Sequence, residues 1–433
     1  MRFDSAEFLA FFAVIFALHQ VLAGRRTLLV FASYAFYASW NPPFLLLLLF
    51  SSVVDFTIGK AIEDSRSRRR RQALLWTSIG TNLGILAYFK YFNFFLDNTL
   101  AVTGADPALV QGFYLDTFIP LGISFYTFQT MSYSIDVYRG HVPACRSWTD
   151  FALFVTFFPQ LIAGPILRAA EFLPQIRRNA RAGRDDVLGG IELCFVGLLK
   201  KVVIADNLGV IVDRCYADPH AYSGAALLIA TYAFWAQVFC DFDGYSTMAR
   251  GLGRLLGYRL PINFLSPLLA GDPIEYRRRW HITMGAWFRD YVYRPLGGDR
   301  RGFRRMLINT MLVWAAFGLW HGASWTFVAW GAYNGVILAA YRTLVAYGWL
   351  PTSGSLSSLA GYLIMPVFGG TACVFFRAAS LEQAGDIFGR ILTLAPGTES
   401  IGAAWVVLLS GLYALHWLCH LHYREDLLVR VGW

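Results

Sequence analysis

A histidine set in the middle of an apolar run is the first place to look for chemistry in this chain. His321 is preceded by LVWAAFGLW and followed by GASWTFVAWG. An ionisable side chain at membrane depth costs about 2.5–3.5 kcal/mol on insertion scales, so its presence there points to function. Burial favours the neutral imidazole, the form that accepts a proton, and general-base chemistry is the expectation. The plain alternative is a structural histidine hydrogen-bonded between two helices. Gly318 and Gly322 remove bulk beside it and leave room for a substrate, with Trp320 and Trp325 as walls.

Three further groups carry reactive residue types. His281 follows Arg277, Arg278, Arg279 and Trp280, where nearby positive charge again disfavours the imidazolium. It is either a second site residue or an interfacial member of a basic patch, and the arginines either anchor anionic lipid or mark the entry of an anionic donor. Asp241 and Asp243 form a carboxylate pair in an apolar segment, the pattern of proton- or ion-coupled transport, unless Asp241 simply caps the next helix. His416 and His420 stand four apart on one helical face, a metal-ligand spacing, but no acidic residue close by completes a set, and no metal site is expected. The six cysteines are scattered without a CxxC pair, which indicates neither a disulfide framework nor a thiolate site.

These residues need elements that hold them in lipid. Hydrophobic residues make up 56% of the 433, charged ones 15%, and the mean hydropathy is +0.46. Apolar stretches recur from Phe8 to Trp417. At roughly 20 residues per crossing they predict about ten to twelve spanning or re-entrant helices, an all-α polytopic membrane protein. Continuously apolar runs such as Phe44 to Phe50 exclude a β-barrel, whose strands alternate. Asp4 and Glu7 beside Arg2 argue that Phe8–Ala23 is a helix rather than a signal peptide. The net charge of +9 resides in arginine clusters between apolar segments, where the positive-inside rule and anionic lipid explain it without nucleic acid.

The run Ser65–Gln72 marks the cytoplasmic side. Pro42 and Pro43 divide Leu28–Ile58 into two helices, which places Arg25 and Arg26 on that same side and the N-terminus outside. Leu74–Leu96 then crosses outward, the segment near Asp97–Asp116 is external, and Phe118–Val137 returns to Arg139 and Arg146. Phe151–Leu167, Val238–Leu256 and Trp280–Leu296 are interrupted by Pro, Gly and charge and are expected to break and line a cavity. Ordinary spans resume at Met306–Trp320, Trp325–Ala340, Leu359–Phe376 and Ile401–Leu418. The chain shows no internal repeat and reads as one membrane-embedded domain over 1–433, with no separate soluble domain.

At these residues the sequence resembles the membrane-bound O-acyltransferase (MBOAT) family, in the bacterial branch of alginate O-acetyltransferase and teichoic-acid D-alanyltransferase membrane subunits. The resemblance runs in order through YFKYFNFF (Tyr88–Phe95), PLGISFYTFQTMSYSIDVYRG (Pro120–Gly140), FFPQLIAGPILRAAEFLPQI (Phe157–Ile176), DFDGYS, RRWHITMGAWFRDYVYRPLGG and GLWHGASWTF, about residues 80–335. It implies helices around a central funnel, with the acyl donor entering from the cytoplasm, the acceptor from outside, and a thin floor near two histidines. It implies His321 as catalytic base and His281 as the second catalytic position, with Trp320, Trp325, Asp241, Asp243, Tyr245 and Asn334 lining the substrate and Arg277, Arg278 and Arg279 at the donor entry. No tightly bound cofactor is implied. The donor would be acetyl-CoA or the phosphopantetheine thioester of an acyl carrier protein, and the acceptor a hydroxyl of an extracytoplasmic polysaccharide. A separate serine-hydrolase-like partner outside the cytoplasmic (inner) membrane would complete delivery.

The chain departs from that branch at three places. Asp243 stands where the branch has serine, Asn334 where Gly-x-x-His-Gly has histidine, and DPIEYRRRW where Ser-Ile-x-Glu-Phe-Trp is common. Transfer of D-alanine to teichoic acid, acylation of a small metabolite or protein, and an acyl or proton-coupled transporter remain the alternatives. A ping-pong route through a covalent acyl-enzyme is the other mechanism open to the chain, although the sequence alone places no serine or cysteine beside a base.

Overall fold

The computed structural model describes residues 1–106, 110, 112–115, 119–179, 181–350, 355–403 and 405–413, with backbone alone for 355–360. Among these the chain is helical, and its β-structure is an isolated bridge between Tyr222 and Glu399. The chain forms two compact units, Met1–Leu198 with Gly244–Ile262, and Leu199–Asp243 with Asn263–Trp433.

The first unit opens with α1 (Ala6–Val21), capped where Ser5 Oγ accepts from Phe8 N at 3.2 Å. After α2 (Arg25–Ala38), Pro42 and Pro43 start α3 (Pro42–Asp64), in positions whose amide hydrogens a helix would leave unbonded anyway. The two prolines divide the apolar stretch as the sequence predicts. Next come α4 (Arg68–Leu86), a π-helical turn (Ala87–Tyr91), α5 (Phe92–Thr103), α6 (Ile123–Arg139), α7 (Trp148–Thr156), α8 (Ala169–Arg178) and α9 (Arg184–Leu198). The stretch Leu74–Leu96, expected as one crossing, therefore passes through a π turn. Asp55 of α3 is fully buried and accepts hydrogen bonds from Ser78 Oγ (2.5 Å) and Asn82 Nδ2 (2.7 Å) of α4 and Ser134 Oγ (3.0 Å) of α6. A buried carboxylate is tolerated only when it is satisfied in this way.

The second unit holds α10 (Asp206–Ala217), the start of α11 (Gly224–Leu255), α12 (Pro273–Arg279), α13 (Ile282–Phe288), α14 (Phe303–His321), α15 (Trp325–Ala346), α16 (Ser355–Arg377) and α17 (Leu381–Leu392), with π-helical turns at Leu199–Ala205 and Arg289–Tyr293. The segment Val238–Leu256 does not break as expected; all of it but Leu256 lies in the continuous 32-residue α11. Its glycines are contact points rather than breaks. A Cβ on Gly251 would stand 2.6 Å from both Cys194 Sγ and Gly190 O of α9, and one on Gly197 would stand 2.5 Å from Gly244 O. In the second unit, α14 and α15 meet at Gly318, Gly331 and Gly335, a small-residue seam of the kind that lets membrane helices approach closely.

Among the described residues two helices, Pro42–Asp64 and Gly224–Leu255, are long and apolar enough to cross a membrane, and Ala6–Val21 and Gly361–Arg377 are shorter apolar helices. Leu9, Val14, Phe31, Leu46, Leu363 and Val367 on these elements and α2 are more than half exposed. Apolar surface of this extent suits lipid rather than water.

Candidate active site

His321 is the last residue of α14, and Gly322 behind it is extended. The glycine seam brings α15 alongside, and aromatic rings enclose the imidazole. Ring centroids lie at 4.6 Å (Trp320), 4.8 Å (Trp330), 5.0 Å (Phe317), 5.0 Å (Phe376) and 6.3 Å (Phe327). The two neighbouring glycines do not leave substrate room. A Cβ on Gly318 would meet Phe327 O and the Gly331 backbone, and one on Gly322 would meet the Phe327 ring. They admit α15 and Phe327 instead. Of the expected walls, Trp320 is buried, whereas Trp325 is 55% exposed at the start of α15. Phe317, Trp330 and Phe376 serve as walls and were missed by sequence reasoning; Phe317 and Trp330 flank His321 in the same aromatic run and could have been named from it.

His281 sits in a sharper setting. It is 1% exposed and takes a left-handed backbone (φ 44°) before α13. Its Nδ1 lies 3.2 Å from Asn263 Oδ1, which also receives Thr283 N (3.2 Å) and Thr283 Oγ1 (3.0 Å). Phe242 stands edge-on at 4.6 Å and Trp320 at 5.8 Å. The structure thus brings both predicted histidines to one residue, because the Trp320 indole contacts each imidazole.

The carboxylate pair is tied to lysines of the Leu199–Ala205 turn. Lys201 Nζ lies 2.7 Å from Asp241 Oδ1 and Lys200 Nζ 2.6 Å from Asp243 Oδ2. Asp241 is deep inside α11 and caps nothing, and Phe242 between the two acids is the residue that reaches His281. Tyr245 belongs to the first unit, stacked on Phe3 at 4.5 Å. Asn334 lies one turn beyond Trp330 and donates to its carbonyl at 2.8 Å.

Among the arginines, Arg279 is paired with Glu275 (2.5 Å), Arg278 is exposed, and Arg277 is partly buried with an Nε that has no hydrogen-bond partner. The helix that carries them starts at Asp272, whose Oδ1 accepts from Ile274 N and Glu275 N, both at 2.8 Å. His416 and His420 lie outside the described residues, as does Cys419; the five cysteines described are free. No group of three or more metal-ligating side chains occurs among the described residues.

Residues 145–364, which contain both histidines, match the membrane-bound O-acyltransferase family. The chain belongs to this family. As an MBOAT protein it is a membrane-bound O-acyltransferase. It is 39% identical over 400 residues to the probable alginate O-acetylase AlgI of Pseudomonas putida, covering 91% of this chain and 80% of the relative. It is 34% identical over 382 residues to the peptidoglycan O-acetyltransferase of Helicobacter pylori, covering 82% and 71%. A more distant MBOAT relative is the teichoic acid D-alanyltransferase of Bacillus subtilis, 27% identical over 255 residues, covering 55% and 64%.

Proposed function

We propose that the protein transfers an acetyl group from a cytoplasmic thioester to a hydroxyl of an extracytoplasmic polysaccharide. The observation that carries this reading is the shared contact of Trp320 with His281 and His321. Two relatives whose names specify acetyl transfer, to alginate and to peptidoglycan, favour a glycan acceptor and acetyl over D-alanyl.

His321 takes the proton of the acceptor hydroxyl. The resulting alkoxide attacks the thioester carbonyl, a C–O bond forms, and the C–S bond breaks. The thiolate, stable because thiols have a pKa of about 8.5, takes the proton from the imidazolium and leaves as thiol. The carbonyl end of α14, where His321 sits, favours the transient positive charge. His281 holds the acceptor or stabilises the oxyanion. Arg277 and Arg278 face the donor, either acetyl-CoA or the phosphopantetheine thioester of a carrier protein, and Arg279 is engaged by Glu275. The helices cross the cytoplasmic (inner) membrane several times around a funnel, with the N-terminus outside, and a serine-hydrolase-like partner on the outer side assists delivery to the polymer.

The test is mass spectrometry of cell-surface glycans from cells carrying the wild-type or the His321→Ala protein. Ester-linked acetyl disappears with the variant. A folded His321→Ala protein that still acetylates would overturn the base assignment. Transport is disfavoured by the pairing of Asp241 and Asp243 with lysines. Uptake into liposomes that is lost with Asp241→Asn would restore it.

A further inference from the structure

Asn263 holds the His281 turn through both its main chain and its side chain. Its carbonyl oxygen accepts from Ile282 N at 2.9 Å, while Leu265 N donates to Arg279 O at 3.0 Å, so the segment after Asn263 is stitched to the end of α12. Its Oδ1 receives Thr283 N, Thr283 Oγ1 and lies 3.2 Å from His281 Nδ1. Asn263 and His281 are each 1% exposed. A backbone N–H only donates, so the amide atom it meets is the oxygen. That oxygen has no proton to give, so the hydrogen bond to His281 requires the proton on Nδ1. In the neutral ring the lone pair then falls on Nε2, on the side turned away from Asn263.

We propose that Asn263 is a positioning residue that fixes this tautomer, and that His281 therefore acts as a hydrogen-bond acceptor at Nε2. Of the two roles open to His281, it holds the acceptor glycan, through a hydroxyl other than the one His321 deprotonates. It does not stabilise the oxyanion, because a neutral ring in this tautomer has no proton to donate from Nε2. The inference rests on the reading of His281 as a member of the site.

The test uses the full-length protein in nanodiscs, with acetyl-CoA as donor and alginate oligosaccharides as acceptor, and compares Asn263→Leu, Asn263→Asp and His281→Ala. Asn263→Leu removes the accepting oxygen and raises KM for the acceptor about tenfold, with kcat little changed. Asn263→Asp keeps an accepting oxygen and retains activity. Its carboxylate favours the imidazolium, which accepts nothing, so the acid limb of its pH–rate profile moves upward by roughly one unit. This shift keeps the proposal open to failure even if Asn263→Leu does not fold. An unshifted acid limb in Asn263→Asp overturns the inference, as does an Asn263→Leu protein that loses kcat at unchanged KM. Wild-type kinetics of Asn263→Leu beside an impaired His281→Ala overturn it while leaving the site intact; an unimpaired His281→Ala overturns both.

Discussion

His281 and His321 stand against one indole but reach it by different means. His281 is placed by hydrogen bonds, a left-handed backbone and full burial. His321 is placed by the end of a long helix and a ring of aromatic side chains, and it is only partly buried. Hydrogen bonds fix which nitrogen carries the proton, whereas ring packing fixes the position of the imidazole.

Three substitutions would break or sharpen that contrast. Trp320→Ala removes a side chain common to both settings, and turnover is expected to fall on the order of 100-fold, since a misplacement of about 1 Å has that effect; a rate within threefold of wild type would mean that the two imidazoles do not depend on a shared wall. Gly331→Leu attacks the His321 side alone. Its Cβ would stand 2.5 Å from Trp314 O and 3.1 Å from Gly318 Cα, so α15 must move away from α14. A loss of about 1–3 kcal/mol is expected, read as a lower thermal unfolding midpoint in detergent. Gly285→Ala tests the His281 side, where the added Cβ comes no nearer than 3.8 Å to Arg277 O. It should be neutral or stabilising by up to about 1 kcal/mol, because alanine is the better helix former; a clear loss of stability there would show that the His281 turn is packed as tightly as the helix seam.

Much of this was visible in the residues. An imidazole in an apolar run announced His321, the arginine-flanked His281 followed, and the double proline marked the start of α3 correctly. The errors share a cause. Glycines in Val238–Leu256 and beside His321 were taken as breaks and open space, but in lipid a glycine more often admits a neighbouring backbone. Asn263 was missed because its partners lie 18 and 20 residues on, joined through a strained turn that has no periodic signature. Phe376 was missed for a similar reason, since its helix lies far along the chain from His321. Asp55 should not have been missed, as it is an ionisable residue in an apolar stretch, the same signal that singled out His321.

Asp55 also says something about how the chain is made. Its first two donors arrive with α4 and the third, Ser134, is translated 79 residues later. At about 5–20 residues per second, roughly 4–16 s separate the synthesis of Asp55 from that of its last donor. The Asp55 cluster is therefore completed only when α6 packs against α3 and α4, which makes that acid a late and cooperative element of the first unit.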